Sequence, residues 1–214
     1  MKIAVVSESP ADEAAIKILI DAILQSDTEL ISAPRLRPHG WSHVLGLLPS
    51  IIKHLHYQTD VEGFVVVLDT DESEVHQIAH ETSEALATNC RLCQLRLTVL
   101  RELQRLRAVP NRSDMKHALG VAVPAIEAWY QCGIDAHVNE AAWVRRQSGA
   151  EEITYNRESL KRAVYGVDRP DLTTETTAAM LAAARLVGDL DLLERLFPNG
   201  FGSLLRDLQR WEQN

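Results

Sequence analysis

The sequence predicts an α/β protein, an open, mainly parallel sheet flanked by helices, with a C-terminal helical appendage. Two apolar runs lead to that expectation, Ile3-Ala4-Val5-Val6-Ser7-Glu8 and Phe64-Val65-Val66-Val67-Leu68-Asp69-Thr70-Asp71. Each is short, rich in Val, Ile or Phe, and reads as a buried parallel strand. The chain between them alternates strand and helix patterns, giving β-α-β-α-β within about seventy residues, the spacing a parallel sheet requires. Each run also finishes in carboxylate. Strands lying side by side would bring Glu8, Asp69 and Asp71 to the carboxyl edge of the sheet, where open α/β folds bind ligands.

After the first strand, Ser9 is a good N-cap, Pro10 suits the first helical position, and Asp12 completes a capping-box spacing. Ile16, Leu19, Ile20, Ile23 and Leu24 then form the stripe of a helix packed on a sheet. A short strand is expected over residues 29–33. Pro34, Pro38 and Gly40 break the chain, and Val44, Leu45, Leu48, Ile51, Ile52 and Leu55 mark the inward face of a second helix. Residues 60–63 turn into the second long strand. From Glu72 a polar helix is expected to run towards Ala87, with only Val75, Ile78, Ala79 and Leu86 to bury. Residues 92–106 fit two periods: Leu95, Leu97 and Val99 alternate, while Leu92, Leu95, Val99, Leu103 and Leu106 share a helical face. The Arg/Glu/Gln-rich second half favours helix. Residues 110–113 form a loop, 117–123 another buried strand, and a helix starts from Pro124 at its end. Beyond about residue 136 short helices with charged faces follow, over 141–146, 159–165, 174–187, 190–197 and 204–211. The division is an α/β domain, 1–135, and a helical appendage, 136–214, packed on it.

At 214 residues and 46% hydrophobic content the chain has ample material for a core, and with 5% aromatics that core should be Leu, Val, Ile and Ala. No apolar run approaches the roughly 20 residues of a membrane span, so no membrane contact is expected. The N-terminus carries too few apolar residues before Glu8 for a secretory signal. Three cysteines suggest no disulfide framework, and a cytoplasmic location is the expectation. A net charge of −8 argues against unaided binding to nucleic acid, which relies on Lys and Arg to neutralise phosphates. A local basic patch, a metal bridge or a partner would be needed.

Three carboxylates crowded together repel one another unless a cation or shared proton relieves them. Oxygen-only ligands of this kind suit Mg²⁺, Mn²⁺ or Ca²⁺. Arg35 and Arg37 are candidate phosphate contacts, as are the cluster Arg101, Arg105, Arg107 and Arg112 and the tail residues Arg145, Arg146, Lys161 and Arg162, which solvated helix faces explain equally well. An ordinary reading also stands beside the acids: carboxylates at helix N-termini are stabilised by the macrodipole. His76 and His80 with Cys90 and Cys93 form a His-x₃-His, Cys-x₂-Cys set of zinc-ligand type, although the order inverts that of the usual finger and the thiols fall where a helix resumes.

A Glu after the first strand, then Asp-x-Asp after a strand about sixty residues on, resembles the Toprim fold of topoisomerases, primases and OLD-type nucleases. Val123-Pro124-Ala125-Ile126-Glu127-Ala128-Trp129-Tyr130 is similar to the strand-to-helix P-x-x-E-x-W segment of small stand-alone Toprim-like proteins, the RloB-like ones among them. These are often encoded beside ATPases in bacterial phage-defence regions. The resemblance spans residues 2–135 and is diffuse afterwards. It implies Asp69, Asp71 and Glu127 as ligands of Mg²⁺ or Mn²⁺, and Glu8 as general acid/base or ligand of a second ion. The chain departs from the family at Ser9-Pro10, where Gly usually follows the Glu. Pro10 removes an N–H that would meet a phosphate, leaving Ser9 and the remaining helix-start amides as candidate contacts.

The expected function is a Mg²⁺-dependent nuclease subunit acting on DNA or RNA with the help of a partner, plausibly an ATPase, and compatible with a homo-oligomer. The alternative is a non-catalytic, metal-binding interaction module on the same scaffold. A phosphoacceptor receiver domain ranks below both, because Ser7-Glu8 supplies only one acid after the first strand.

Overall fold

The computed structural model describes residues 1–33, 41–77, 79–82, 88–150, 152–167 and 169–211. Strand β1 (Lys2–Val6) has β2 (Glu29–Leu30) on one side and β3 (Gly63–Asp69) on the other, and β4 (Lys116–Ala122) pairs with β3. The order is β2-β1-β3-β4 and every pair is parallel. The α/β architecture expected from the two apolar runs is the one observed. Successive strand residues point to opposite faces. Ile3, Val5, Val65 and Val67 therefore enter one core, and Ala4, Val6, Phe64, Val66 and Leu68 the other. β2 is shorter than the expected 29–33. Both its residues are exposed, so it is an edge strand with little apolar surface to extend it.

Helix α1 (Pro10–Ile23) covers the first core and begins as its sequence dictates: Pro10 opens the first turn and Ser9 Oγ accepts the Asp12 N–H at 3.2 Å. Helix α2 (Trp41–Gln58) covers the second core with Val44, Leu48, Ile51, Ile52 and Leu55. The polar helix expected over 72–87 is not present as such. Glu74 instead makes an isolated parallel bridge to Cys90, and the helical turn α3 spans Ala79–Thr82, with residues 78 and 83–87 outside the described set. Among its described apolar residues Val75 is covered and Ala79 is exposed. Helix α4 (Arg91–Leu103) resolves the ambiguity at 92–106 in favour of helix, with Leu92, Leu95 and Val99 in the second core.

Among the described residues six α-helices follow β4: α5 (Ile126–Tyr130), α6 (Glu140–Gln147), α7 (Arg157–Tyr165), α8 (Leu172–Leu186), α9 (Leu190–Leu196) and α10 (Phe201–Gln209). α8 packs along α1 and α10 along β4. Ala179, Ala183, Leu186, Phe201, Leu204 and Leu208 share the first core with Ile16 and Leu19. Trp129 is fully buried, edge-on to Phe201 at 5.4 Å between ring centroids, which makes it a core residue and no stacking platform for bases. Gly200 sits where a Cβ would come within 2.1 Å of the Val121 carbonyl oxygen, so only glycine lets the tail approach β4 this closely. Its N–H and that of Asn199 both donate to the buried Glu140 carboxylate, at 2.6 and 2.9 Å. Among the described residues no helix is long and apolar enough to cross a membrane.

Candidate functional site

From β1 the chain builds towards β2, whereas β3 and β4 extend the sheet on the opposite side. The connections therefore diverge between the carboxyl ends of β1 and β3, which is where a ligand crevice forms in such sheets. Glu8 follows β1 and Asp69 closes β3, and the Asp69 N–H points at Glu8 Oε1 across 3.4 Å. Beyond Asp69 the chain runs beside the segment after β4. Thr70 N–H donates to the Ala122 carbonyl at 2.8 Å and Asp71 N–H to the Pro124 carbonyl at 2.9 Å. The strand has ended, so the two-residue repeat no longer fixes the face of Asp71, and this residue adopts a left-handed backbone with φ 50°. Asp69 Oδ1 in turn accepts the Ile126 N–H at 3.0 Å, capping the short helix that carries Glu127 in its first turn.

The carboxylates of Asp69 and Asp71 meet through one shared cation, Arg157. Arg157, from α7, donates to Asp69 Oδ2 at 2.6 Å and also pairs with Asp71 Oδ1. Arg91, the first residue of α4, donates to Asp71 Oδ2 at 2.7 Å and to the Asp69 carbonyl at 2.8 Å. Glu127 is buried, with Oε1 at 3.9 Å from Lys161 Nζ and Oε2 without a hydrogen-bond partner. A fifth acid belongs to the group. Asp12 accepts the Ser9 hydroxyl at 2.9 Å on one oxygen and faces the Tyr130 hydroxyl at 3.4 Å on the other.

Burial and mutual repulsion raise the proton affinity of three of these acids, Asp12, Asp69 and Glu127. Asp12 is pushed up to about 7, first by burial and then by the charge of Glu127, with the Ser9 hydrogen bond opposing. Asp69 is raised well above the ordinary carboxylate range by burial and by Glu8 and Glu127, against the pull of Arg157. Glu127 is raised by burial and drawn back by Lys161. Tyr130 is buried and its phenol is raised for the same reasons, so it is a hydrogen-bond donor to Asp12 and poorly suited to act as a nucleophile.

Of the residues singled out in the sequence, Glu8, Asp69, Asp71 and Glu127 come together at this edge. Ser9 is the α1 cap, bonded to Asp12 through both its main-chain N–H and its carboxylate. Arg35 and Arg37 lie outside the described residues. Arg112 donates to the His56 and Thr59 carbonyls, both at 2.6 Å, and to the Val61 carbonyl, so it ties the end of α2 to β3 rather than facing a phosphate. The site also contains Asp12, Arg91, Arg157 and, from the tail candidates, Lys161. The last two stand four apart on α7 and share one face, a spacing visible in the sequence.

A second group lies beside the loop that follows Asp71. His76, His80, Cys90 and Cys93 bring one ligand atom each to within 4.8 Å of one another, a group able to hold a metal ion. Compared with protein-family models, curated proteins and solved structures, the chain has no match.

Proposed function

We propose that the chain is a Toprim-like, Mg²⁺- or Mn²⁺-dependent nuclease subunit that hydrolyses phosphodiester bonds in DNA or RNA. The observation that carries the reading is the gathering of Glu8, Asp12, Asp69 and Glu127 at the switch point, buried so that protons compete for three of them. An all-oxygen donor set in excess of its local cations suits a hard divalent ion, and the unpartnered Glu127 Oε2 offers a lone pair to one. Asp69, Asp71 and Glu127 would hold it. Bound there, the ion would supply Lewis-acid stabilisation of charge on phosphoryl oxygens.

The chain's own groups divide the remaining work. Arg157 now neutralises Asp69 and Asp71, and it is exposed enough to swing into solvent or onto a phosphate. Arg91 and Lys161 orient a phosphate by charge and, for the guanidinium, by its paired donors. Glu8 takes or gives the proton at the reacting oxygen. Asp12, with a proton affinity near neutrality, can exchange one with it. The net charge of −8 supports a partner, such as an ATPase in a phage-defence system, that delivers the nucleic acid.

The test is incubation with supercoiled plasmid, linear DNA and RNA, in Mg²⁺, Mn²⁺ or EDTA, beside an Asp69→Asn/Asp71→Asn double variant. The expected result is metal-dependent cutting that falls at least about a hundredfold in the variant and in Glu8→Gln. The alternative, a non-catalytic metal-binding module, draws support from the guanidinium groups already seated on Asp69 and Asp71. Calorimetric Mg²⁺ binding without cutting of any substrate would favour it.

A further inference from the structure

We infer that His76, His80, Cys90 and Cys93 form a structural zinc site, separate from the acidic edge. Nδ1 of His76 lies 3.4 Å from Sγ of Cys90 and 3.4 Å from Sγ of Cys93. Zn–N of about 2.0–2.1 Å and Zn–S of about 2.3 Å at a tetrahedral angle put N and S roughly 3.5 Å apart. The spacing of these three atoms is therefore that of ligands around one zinc ion. The fourth residue, His80, packs edge-on to His76 at 5.6 Å between ring centroids.

His80 supplies the independent sign of a ligand. It is 3% exposed, and its Nδ1 is buried with no hydrogen-bond partner. A buried polar atom left unmade destabilises a fold by roughly 1–3 kcal/mol, so such atoms are rare without a reason. Its other nitrogen, Nε2, faces Glu74 Oε1 at 3.5 Å. That is the arrangement of a metal-bound histidine, whose far N–H is held by a carboxylate that fixes the ring and its tautomer. Two nitrogens and two sulfurs select zinc over the hard ions suited to the acidic edge, and four protein ligands leave no open position for chemistry.

The location explains what the ion would do. Residues 70–90 connect β3 to α4, and Val75 is the apolar side chain they bury deeply among the described residues, apart from Cys90 itself. Where the described part of a connection buries so little apolar surface, a metal supplies folding energy that a core otherwise would. Cys90 stands at the N-terminal boundary of α4 and is followed by Arg91, whose guanidinium holds Asp71 and the Asp69 carbonyl. The ion would fix both ends of the connection and set the position of Arg91. Binding releases the two thiol protons to solvent and involves no change of oxidation state.

Protein purified without chelator from zinc-supplemented growth should hold one zinc per chain by native mass spectrometry. Replacement by Co²⁺ should give a thiolate-to-cobalt charge-transfer band with tetrahedral ligand-field bands. Zinc should slow alkylation of Cys90 and Cys93 at least about tenfold and leave Cys132 unchanged, and Glu74→Gln should weaken zinc binding about 10–100-fold. Cys93→Ser should roughly halve the charge-transfer band, because Cys90 still supplies one thiolate, the double variant Cys90→Ser/Cys93→Ser should abolish it, and Cys132→Ser should keep it. The wild-type metal content and cobalt spectrum stand even if Cys93→Ser fails to fold. Wild-type protein that retains no zinc after incubation and desalting overturns the site, as does bound cobalt without a thiolate band.

Discussion

At Asp12 the folded chain holds a proton that the unfolded chain releases, because the carboxyl sits near 7 in place and at 3.8 in water. A raised acid stabilises the fold fully below its unfolded value, and that contribution is lost as pH rises through the folded one. Asp12→Asn cannot titrate, so its stability relative to the parent should climb between about pH 4 and pH 7, by roughly 2–4 kcal/mol. Denaturant unfolding of both proteins at several pH values reads this out, and a pH-independent difference would refute the assignment. The same residue shows where sequence stops informing. Glu8, Asp69 and Asp71 are legible because an apolar run that ends in acid marks the end of a strand. Asp12 is hidden because three residues after an N-cap is where helices carry acids anyway. Arg157 is hidden because its partner Asp69 lies 88 residues earlier, and no local pattern reports that pairing.

Helix α7 delivers Arg157 and Lys161, and its ends are well defined. The Asn156 side chain accepts the Ser159 N–H at 2.9 Å, the Ser159 hydroxyl returns to the Asn156 N–H at 2.8 Å, and Gly166 closes the helix at φ 74°. Asn156→Ala should lower stability by about 1 kcal/mol. It should also loosen the cations of the acidic edge, seen as a change in Mg²⁺ affinity by calorimetry; loss of stability with unchanged affinity would separate the cap from the site. Elements with continuous apolar faces, such as β1, β3, α1 and α2, are readable from periodicity alone. The described part of 72–87 is not, since Glu74 bridges Cys90 and His76 and His80 gather beside Cys90 and Cys93, neither of which is a matter of period.

Across the whole molecule two cores sandwich one sheet, and residues from the first strand to Trp211 contribute to the same one. The sequence shows the helices of the tail but gives no sign of which surface each covers, because α8 on α1 and α10 on β4 are pairings between distant segments. A chain ending at residue 150 lacks the cover of α1 and β4 as well as Arg157 and Lys161. It should bind a hydrophobic dye and lose near-ultraviolet circular dichroism while keeping far-ultraviolet signal; a sharp cooperative melt from that fragment would show that the first 150 residues fold alone.

The 88-residue separation of Asp69 from Arg157 has a consequence for the chain as it is made. At about 5–20 residues per second, the acids at the ends of β1 and β3 leave the ribosome several seconds before their counter-charge. Through that interval Arg91 offsets part of the charge at Asp71, and the remaining negative charge of the nascent edge can be relieved by protons or by divalent ions from the surrounding fluid. Synthesis thus exposes the carboxylates to ions first and to Arg157 afterwards, so the guanidinium arrives as a competitor for positions that an ion can already hold.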